Sequence, residues 1–224
     1  LRPGATELVN GLITYNVEQW EPEFTHRENL YQIKQSEQLT ISGIPTDDVI
    51  NTWDLGLSTG VPIDLTIEGG ASDNAFDLSG LQLTNLNILQ GASETSLIFD
   101  QPNPVEMDLL AFTTGASSAK IFGLANANFN TMTFSGGAGN YTLDFSGSLS
   151  HDASVELKAG ASNLKIIVPS DMRVQVNNLS SVSVINTEGT WLLTDDTYTT
   201  LEEGFLLTIN LNLTVGNVTL IHED

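Results

Sequence analysis

Five Gly-Ala pairs recur at intervals of 21 to 24 residues: Gly70-Ala71, Gly91-Ala92, Gly115-Ala116, Gly137-Ala138 and Gly160-Ala161. A fixed period in the twenties marks a chain that stacks one short unit on itself. The repeat extends beyond the dipeptide. Five residues before each glycine stand Leu65, Leu86, Leu110, Met132 and Val155, and three before it Ile67, Ile88, Phe112, Phe134 and Leu157. Six after it stand Phe76, Leu97, Ile121, Leu143 and Ile166, and eight after it Leu78, Phe99, Gly123, Phe145 and Val168. Only Gly123 breaks the apolar character of these columns. Side chains two apart on a strand share a face, so each unit is predicted to be strand, Gly-Ala turn, strand. Stacked at about 4.8 Å per strand, equivalent residues would form continuous core columns. The alanine is expected to fill a tight inward corner, and the glycine to supply the positive φ that such a corner needs. The expected fold class is therefore all-β: a single-stranded β-solenoid with about five coils of 21–24 residues and a C-terminal β cap.

Three regions follow from this pattern. Residues 1–50 are less regular, with a strand pair expected around Asn10-Gly11, a loop from Glu18 to Asn29 and short strands near Tyr31 and Leu39. Residues 51–176 carry the Gly-Ala repeat, starting at Trp53. In residues 177–224 the register fails while Val182, Val184, Leu206, Ile209, Leu211 and Leu213 still alternate, which is how the end of a stack hides its open core. No segment has helical periodicity.

Charge narrows the partners. Seven Lys and Arg stand against 28 Asp and Glu, a net −21. That balance repels nucleic acid and anionic membrane surfaces, and the nearest thing to a basic stripe is the thin set Lys158, Lys165 and Arg173. With no cysteine there is no disulfide framework or thiol chemistry. No apolar run approaches the ~18 residues of a membrane span, so this segment is expected to make no membrane contact of its own, with anchoring left open. Composition leans towards an extracytoplasmic setting.

The run from Trp53 through Asp54-Leu55-Gly56-Leu57 to Ile67, the Gly-Ala pair after it and Phe76-Asp77-Leu78-Ser79-Gly80-Leu81 together resemble the toast-rack family of bacterial cell-envelope proteins, including its N-terminal domain type. Thr187-Glu188-Gly189-Thr190-Trp191, Tyr198, Leu206–Leu213 and Val215-Gly216-Asn217-Val218 resemble that family's C-terminal pattern. The likeness runs over residues 39–224, with 1–38 less clear. It implies a stacked β-solenoid displayed outside the membrane, adhesin-like or linked to envelope stress. No catalytic motif defines the family, so it transfers no site residue.

Chemistry is sparse. Gly136-Gly137-Ala138-Gly139-Asn140-Tyr141 follows the nonapeptide calcium repeat until Tyr141, where the ligand aspartate should stand. Asp77 and Asp144 share a column but lie three coils apart, roughly 14 Å, too far to share an ion. Asp47-Asp48 and Asp195-Asp196, in expected loops, are the remaining calcium candidates, and no cofactor is expected. For catalysis, glycoside hydrolysis would need two carboxylates about 5 to 9.5 Å apart, and none stands paired on a strand face. His151-Asp152 near Lys158 is the nearest acid–base set, while His26 and His222 sit in irregular or terminal segments. G-x-S-x-G and phosphate loops are absent. The chain is thus expected not to be an enzyme, with a polysaccharide-active β-helix as the alternative. The column seven after each glycine should face outward, yet Ile98, Phe122 and Ile167 are apolar, which makes them the candidate interaction face. The expected function is a non-catalytic, adhesin-like binding scaffold for a cell-envelope protein or glycan. A sensory or regulatory ectodomain in the envelope stress response is the alternative. Oligomeric state is not legible.

Overall fold

The computed structural model describes residues 1–36, 49–180 and 183–223. The chain forms two compact units, Pro3–Ser58 and Thr59–Asp224. The strands of the first region are β1 (Arg2–Pro3), β2 (Val9–Tyr15), β3 (Pro22–Arg27), β4 (Leu30–Gln35) and β5 (Asn51–Leu57). They form a three-stranded sheet, β1-β5-β2, and the hairpin β3-β4. Three expectations fail here. Asn10-Gly11 does not turn the chain but lies inside β2, antiparallel to β5, where a methyl group on Gly11 would strike the Asp54 carbonyl. Residues 22–27, expected as loop, form β3, closed on β4 by a tight turn with Glu28 at φ 52°. Trp53 belongs to β5 and pairs antiparallel with Ile13, so it does not open the repeat.

In the second region the Gly-Ala pattern folds as its columns require. Its strands are β6 (Ile63–Gly69), β7 (Ser72–Asp77), β8 (Leu83–Gln90), β9 (Ser93–Ile98), β10 (Met107–Thr114), β11 (Ser117–Phe122), β12 (Phe129–Gly136), β13 (Gly139–Asp144), β14 (Ala153–Val168), β15 (Arg173–Asn178), β16 (Ser183–Glu188), β17 (Leu192–Thr194), β18 (Thr197–Thr199) and β19 (Leu206–His222). A first parallel ladder runs β6-β8-β10-β12-β14-β19-β15, and a second runs β7-β9-β11-β13-β14-β19-β16. The long strands β14 and β19 pass through both. The register is the one the repeat dictates: Leu65, Leu86, Leu110, Met132 and Val155 are successive partners, as are Phe76, Leu97, Ile121, Leu143 and Ile166. The chain is all-β; among the described residues the only helical turns are short 3₁₀ segments at Glu18–Trp20 and Leu124–Ala127.

Alternation sends these columns inward. From β8 to β14 they are essentially water-free, and each buried Leu, Ile or Phe contributes about 1.5–3 kcal/mol. Phe112 stacks on Phe134 with ring centres 5.5 Å apart, and Tyr141 meets Phe134 edge-on at 5.0 Å. Gly123 interrupts its column because the chain turns left-handed there (φ 72°) to enter the 3₁₀ segment, and Leu124 fills the core instead.

The glycines of the repeat act differently from expectation. None of the five has positive φ. The four after Gly70 sit where a side chain would meet the rung below: a methyl on Gly91 would lie 2.8 Å from the Gly70 carbonyl oxygen, one on Gly115 3.0 Å from that of Gly91, one on Gly137 2.7 Å from that of Gly115 and one on Gly160 3.1 Å from that of Gly137. The same carbonyls accept the next glycine's N–H at 3.0–3.2 Å. The alanines are not inward either. All five are exposed.

The C-terminal region does not follow in chain order. After β14 the chain forms β15 and β16, makes the β17-β18 hairpin, and returns as β19 between β14 and the β15–β16 pair. β18 pairs antiparallel with β15, and β17 with β18.

Candidate functional site

Two surfaces of the second unit follow from its rungs, a rung being the two strands on either side of one corner. The first is a groove along the Gly-Ala corner. It is shallow and largely open to solvent, lined by the exposed alanines Ala71, Ala92 and Ala116 with Asp73, Glu94 and Asn140 beside them, and its volume is about 790 Å³. The lining continues up the stack as an amide ladder, in which Asn163 Nδ2 donates to Asn140 Oδ1 at 3.0 Å and Asn217 Nδ2 to Asn163 Oδ1 at 3.2 Å. Just inside the corner the core is polar on the early rungs. Gln90 Oε1 accepts from Ser72 and Asn74, and Asn74 also donates to Thr95. Sequence reading missed this groove because it took the alanines to be buried. The signal was present: small residues flanked at a fixed offset by Asp, Glu, Ser or Asn.

The second surface is the outward face of the second ladder. Ile98, Phe122 and Ile167 lie on it, each half-buried between rungs, while Lys120 and Lys165 beside them are exposed. Ile98 neighbours Phe122 in the ladder, and Ile167 neighbours Ile221. Asp77 and Asp144 share this column and have a local role. Asp77 Oδ1 accepts the Ser79 N–H at 3.0 Å and Asp144 Oδ1 that of Ser146 at 2.7 Å, closing the strand with the same turn at two rungs.

The remaining candidates scatter. Asp47 and Asp48 lie outside the described residues. Asp195 and Asp196 form the exposed two-residue turn between β17 and β18, with Asp195 at φ 53°. Among the described residues no group of three or more His, Cys, Asp or Glu could hold a metal ion. Tyr141 is buried, so the calcium-like run points its sixth position into the core. His26 stacks on Tyr31 at 4.1 Å and donates Nε2–H to the Glu28 carbonyl. His151 turns Nδ1 to the carbonyl of Asp152, whose own carboxylate accepts the Leu206 N–H at 2.8 Å. His222 is buried, with Nδ1 3.0 Å from Thr190 O, Nε2 3.2 Å from Ser170 O and Trp191 edge-on to its ring. Each histidine is thus tied to backbone, in three separate places. Trp20, Trp53 and Trp191 are half-buried. In the first unit a cleft of about 430 Å³ lies between Ile13 and Leu55 on one side and Phe24, His26 and Tyr31 on the other. It is not legible in the sequence, where residues 22–27 read as loop.

No helix among the described residues is long and apolar enough to cross a membrane. No curated protein matches the chain. A crystal structure from Clostridium sporogenes ATCC 15579, provisionally assigned to cell adhesion, is 16% identical over 99% of this chain and 86% of that one, with a TM-score of 0.49. The family model described as the N-terminal domain of toast_rack, DUF2154, matches residues 1–109. The match includes residues 1–38, where the resemblance was less clear, and ends in β10, past the first two Gly-Ala corners. Residues 1–109 of this chain belong to the toast-rack N-terminal domain family.

Proposed function

We propose that this protein is a non-catalytic, extracytoplasmic binding scaffold of the bacterial cell envelope, adhesin-like, and that its two ladders make one stiff solenoid body whose corner groove receives an extended glycan. Family membership supports the envelope setting. The observation that carries the binding reading is the groove itself. It offers alanines too small to block a polymer and a flanking row that repeats Asp, Glu, Ser or Asn at every rung, about 4.8 Å apart. Polar groups repeated at strand spacing suit a ligand that is itself periodic, and an extended polysaccharide presents hydroxyls at a comparable repeat. Uncharged or cation-bridged sugars fit best, since the row begins with Asp73 and Glu94 and the chain carries −21. A non-catalytic role agrees with histidines that each engage backbone carbonyls apart from one another.

The test is co-sedimentation of the protein with purified peptidoglycan and with insoluble cell-wall polysaccharide, with and without calcium. Binding is expected to one of these and to be lost in Ala92→Trp and Ala116→Trp, which fill the groove from exposed positions without touching the core. Recovery of a membrane protein from envelope extract, with no glycan binding, would replace this reading by the regulatory one.

A further inference from the structure

We infer that the inside of the Gly-Ala corner, between its second and third rungs, is a binding site for one ordered water held by Gln90, Thr114 and Ser117. Three side-chain atoms there, Gln90 Nε2, Thr114 Oγ1 and Ser117 Oγ, are shut off from solvent and have no hydrogen-bond partner among the described residues. Gln90 and Thr114 are only 7% and 5% exposed, so bulk water does not serve them. The register brings the three together. Thr114 is the rung partner of Gln90. Ser117, one residue before the pair Ser118↔Glu94, stands across the same corner from Thr114. The amide of Gln90 is oriented by its other end, because Oε1 accepts from Ser72 and Asn74 of the first rung. Its nitrogen is left for the corner. Above, Tyr141 closes the space: a methyl on Gly136 would lie 2.7 Å from its ring, and its hydroxyl reaches to 3.4 Å from the Gly115 carbonyl oxygen.

The chemistry of the three groups selects the ligand. A buried polar atom without a partner carries its full desolvation cost, and a buried water serves about three such atoms at once. Here its oxygen accepts from Gln90 Nε2 and from one hydroxyl, and one of its hydrogens goes to the other hydroxyl. A cation does not suit the same set. The amide nitrogen presents N–H and no lone pair, and the nearby carboxylates, Asp73 and Glu94, are exposed on the outer side of the corner. The site is confined to these rungs, since the positions of Gln90 and Thr114 are taken by Gly136 on the fourth rung and Ala159 on the fifth. Ser162, on the fifth rung, also has an unpartnered hydroxyl, but no second such atom stands beside it among the described residues. None of the three atoms reaches solvent, so the site is independent of the glycan reading.

A crystal structure of the full chain, at a resolution that shows ordered water, tests this. One peak about 2.7–3.2 Å from all three atoms is expected. Direct hydrogen bonds among the three side chains, with no water between them, overturn the proposal. So does a peak held by the hydroxyls alone at the roughly 2.3–2.6 Å of a metal ion. Urea unfolding reads the same site through stability. Thr114→Val keeps the shape and removes the hydroxyl, and with a water held there the midpoint should fall by roughly 0.5 M. Ser117→Ala should lower it as well, and the double variant by less than the sum, because both lose the same water. Thr113→Val, at an exposed position on the same strand, should leave the midpoint where it was. A midpoint raised by Thr114→Val means a hydroxyl buried dry, and it overturns the proposal, as do losses that simply add.

Discussion

A glycine is usually explained by its freedom of φ, and in this repeat that explanation fails. The corner backbone of Gly91, Gly115, Gly137 and Gly160 has no positive φ, but each α-carbon faces the carbonyl of the glycine one rung below. What the sequence showed was the column. What it could not show was that the missing side chain faces a neighbouring rung and not a solvent turn. The distinction is testable, because Gly70, on the first rung, has nothing within 4 Å of an added methyl. Gly137→Ala should lower stability by about 2 kcal/mol, whereas Gly70→Ala should stay within about 0.5 kcal/mol, as read from urea unfolding midpoints. The near-calcium motif has a similar origin. A methyl group on Gly136 would strike the ring of Tyr141, and one on Gly139 the Ser117 carbonyl of the rung below, so these glycines make room for a buried aromatic and a close neighbouring strand. Completing the calcium repeat by Tyr141→Asp should therefore not create a site. It places a carboxylate against Phe134 and should cost more than about 4 kcal/mol, with a thermal midpoint that added calcium does not restore.

At the scale of elements, periodicity made the strands of the second unit legible and the links between them obscure. Pro102-Asn103-Pro104 reads as a turn, which says nothing of what its middle residue does. Asn103 is 3% exposed. Its Oδ1 accepts the N–H groups of Leu83 and Val105, and its Nδ2 donates to the carbonyls of Leu83 and Ala127. One side chain thus ties together the starts of three neighbouring rungs, partners 20 and 24 residues away. No local pattern announces a residue whose role lies entirely in long-range backbone contacts. Asn103→Leu keeps the volume but orphans buried peptide groups on both sides, and should cost on the order of 3 kcal/mol in urea unfolding. The hairpin β3-β4 was lost for the opposite reason. His26, Thr25 and Arg27 interrupt the apolar alternation that strand reading relies on, because β3 pairs at a mostly exposed position.

For the whole molecule the order of strands matters more than their number. Repeat logic stacks each unit on the one before it, so residues 173–188 would be expected to lie directly on β14. Instead β19 occupies that place, paired with β14 from Ala153↔Leu207 to Val168↔His222, and presents its other edge to β15 and β16. The last strand made is thus the penultimate rung of the stack. Nothing in the local sequence encodes this, since β15, β16 and β19 share the same alternation and only a global choice of register separates them. The consequence for assembly is that residues 173–199 have no final docking place until the C-terminus is available. A chain ending at residue 205 discriminates between the two orders. With β19 inserted, its removal strips both neighbours at once. Hydrogen exchange should then show β15, β16 and β18 unprotected, while β8 to β12 keep their protection, because rungs stabilise mainly their nearest neighbours. The bared edge of β14 should also make the truncated chain prone to self-association through strand pairing. Protection retained over residues 173–178 in that chain would mean that β15 can close directly on β14, and that the insertion of β19 is a refinement and not a requirement of the fold.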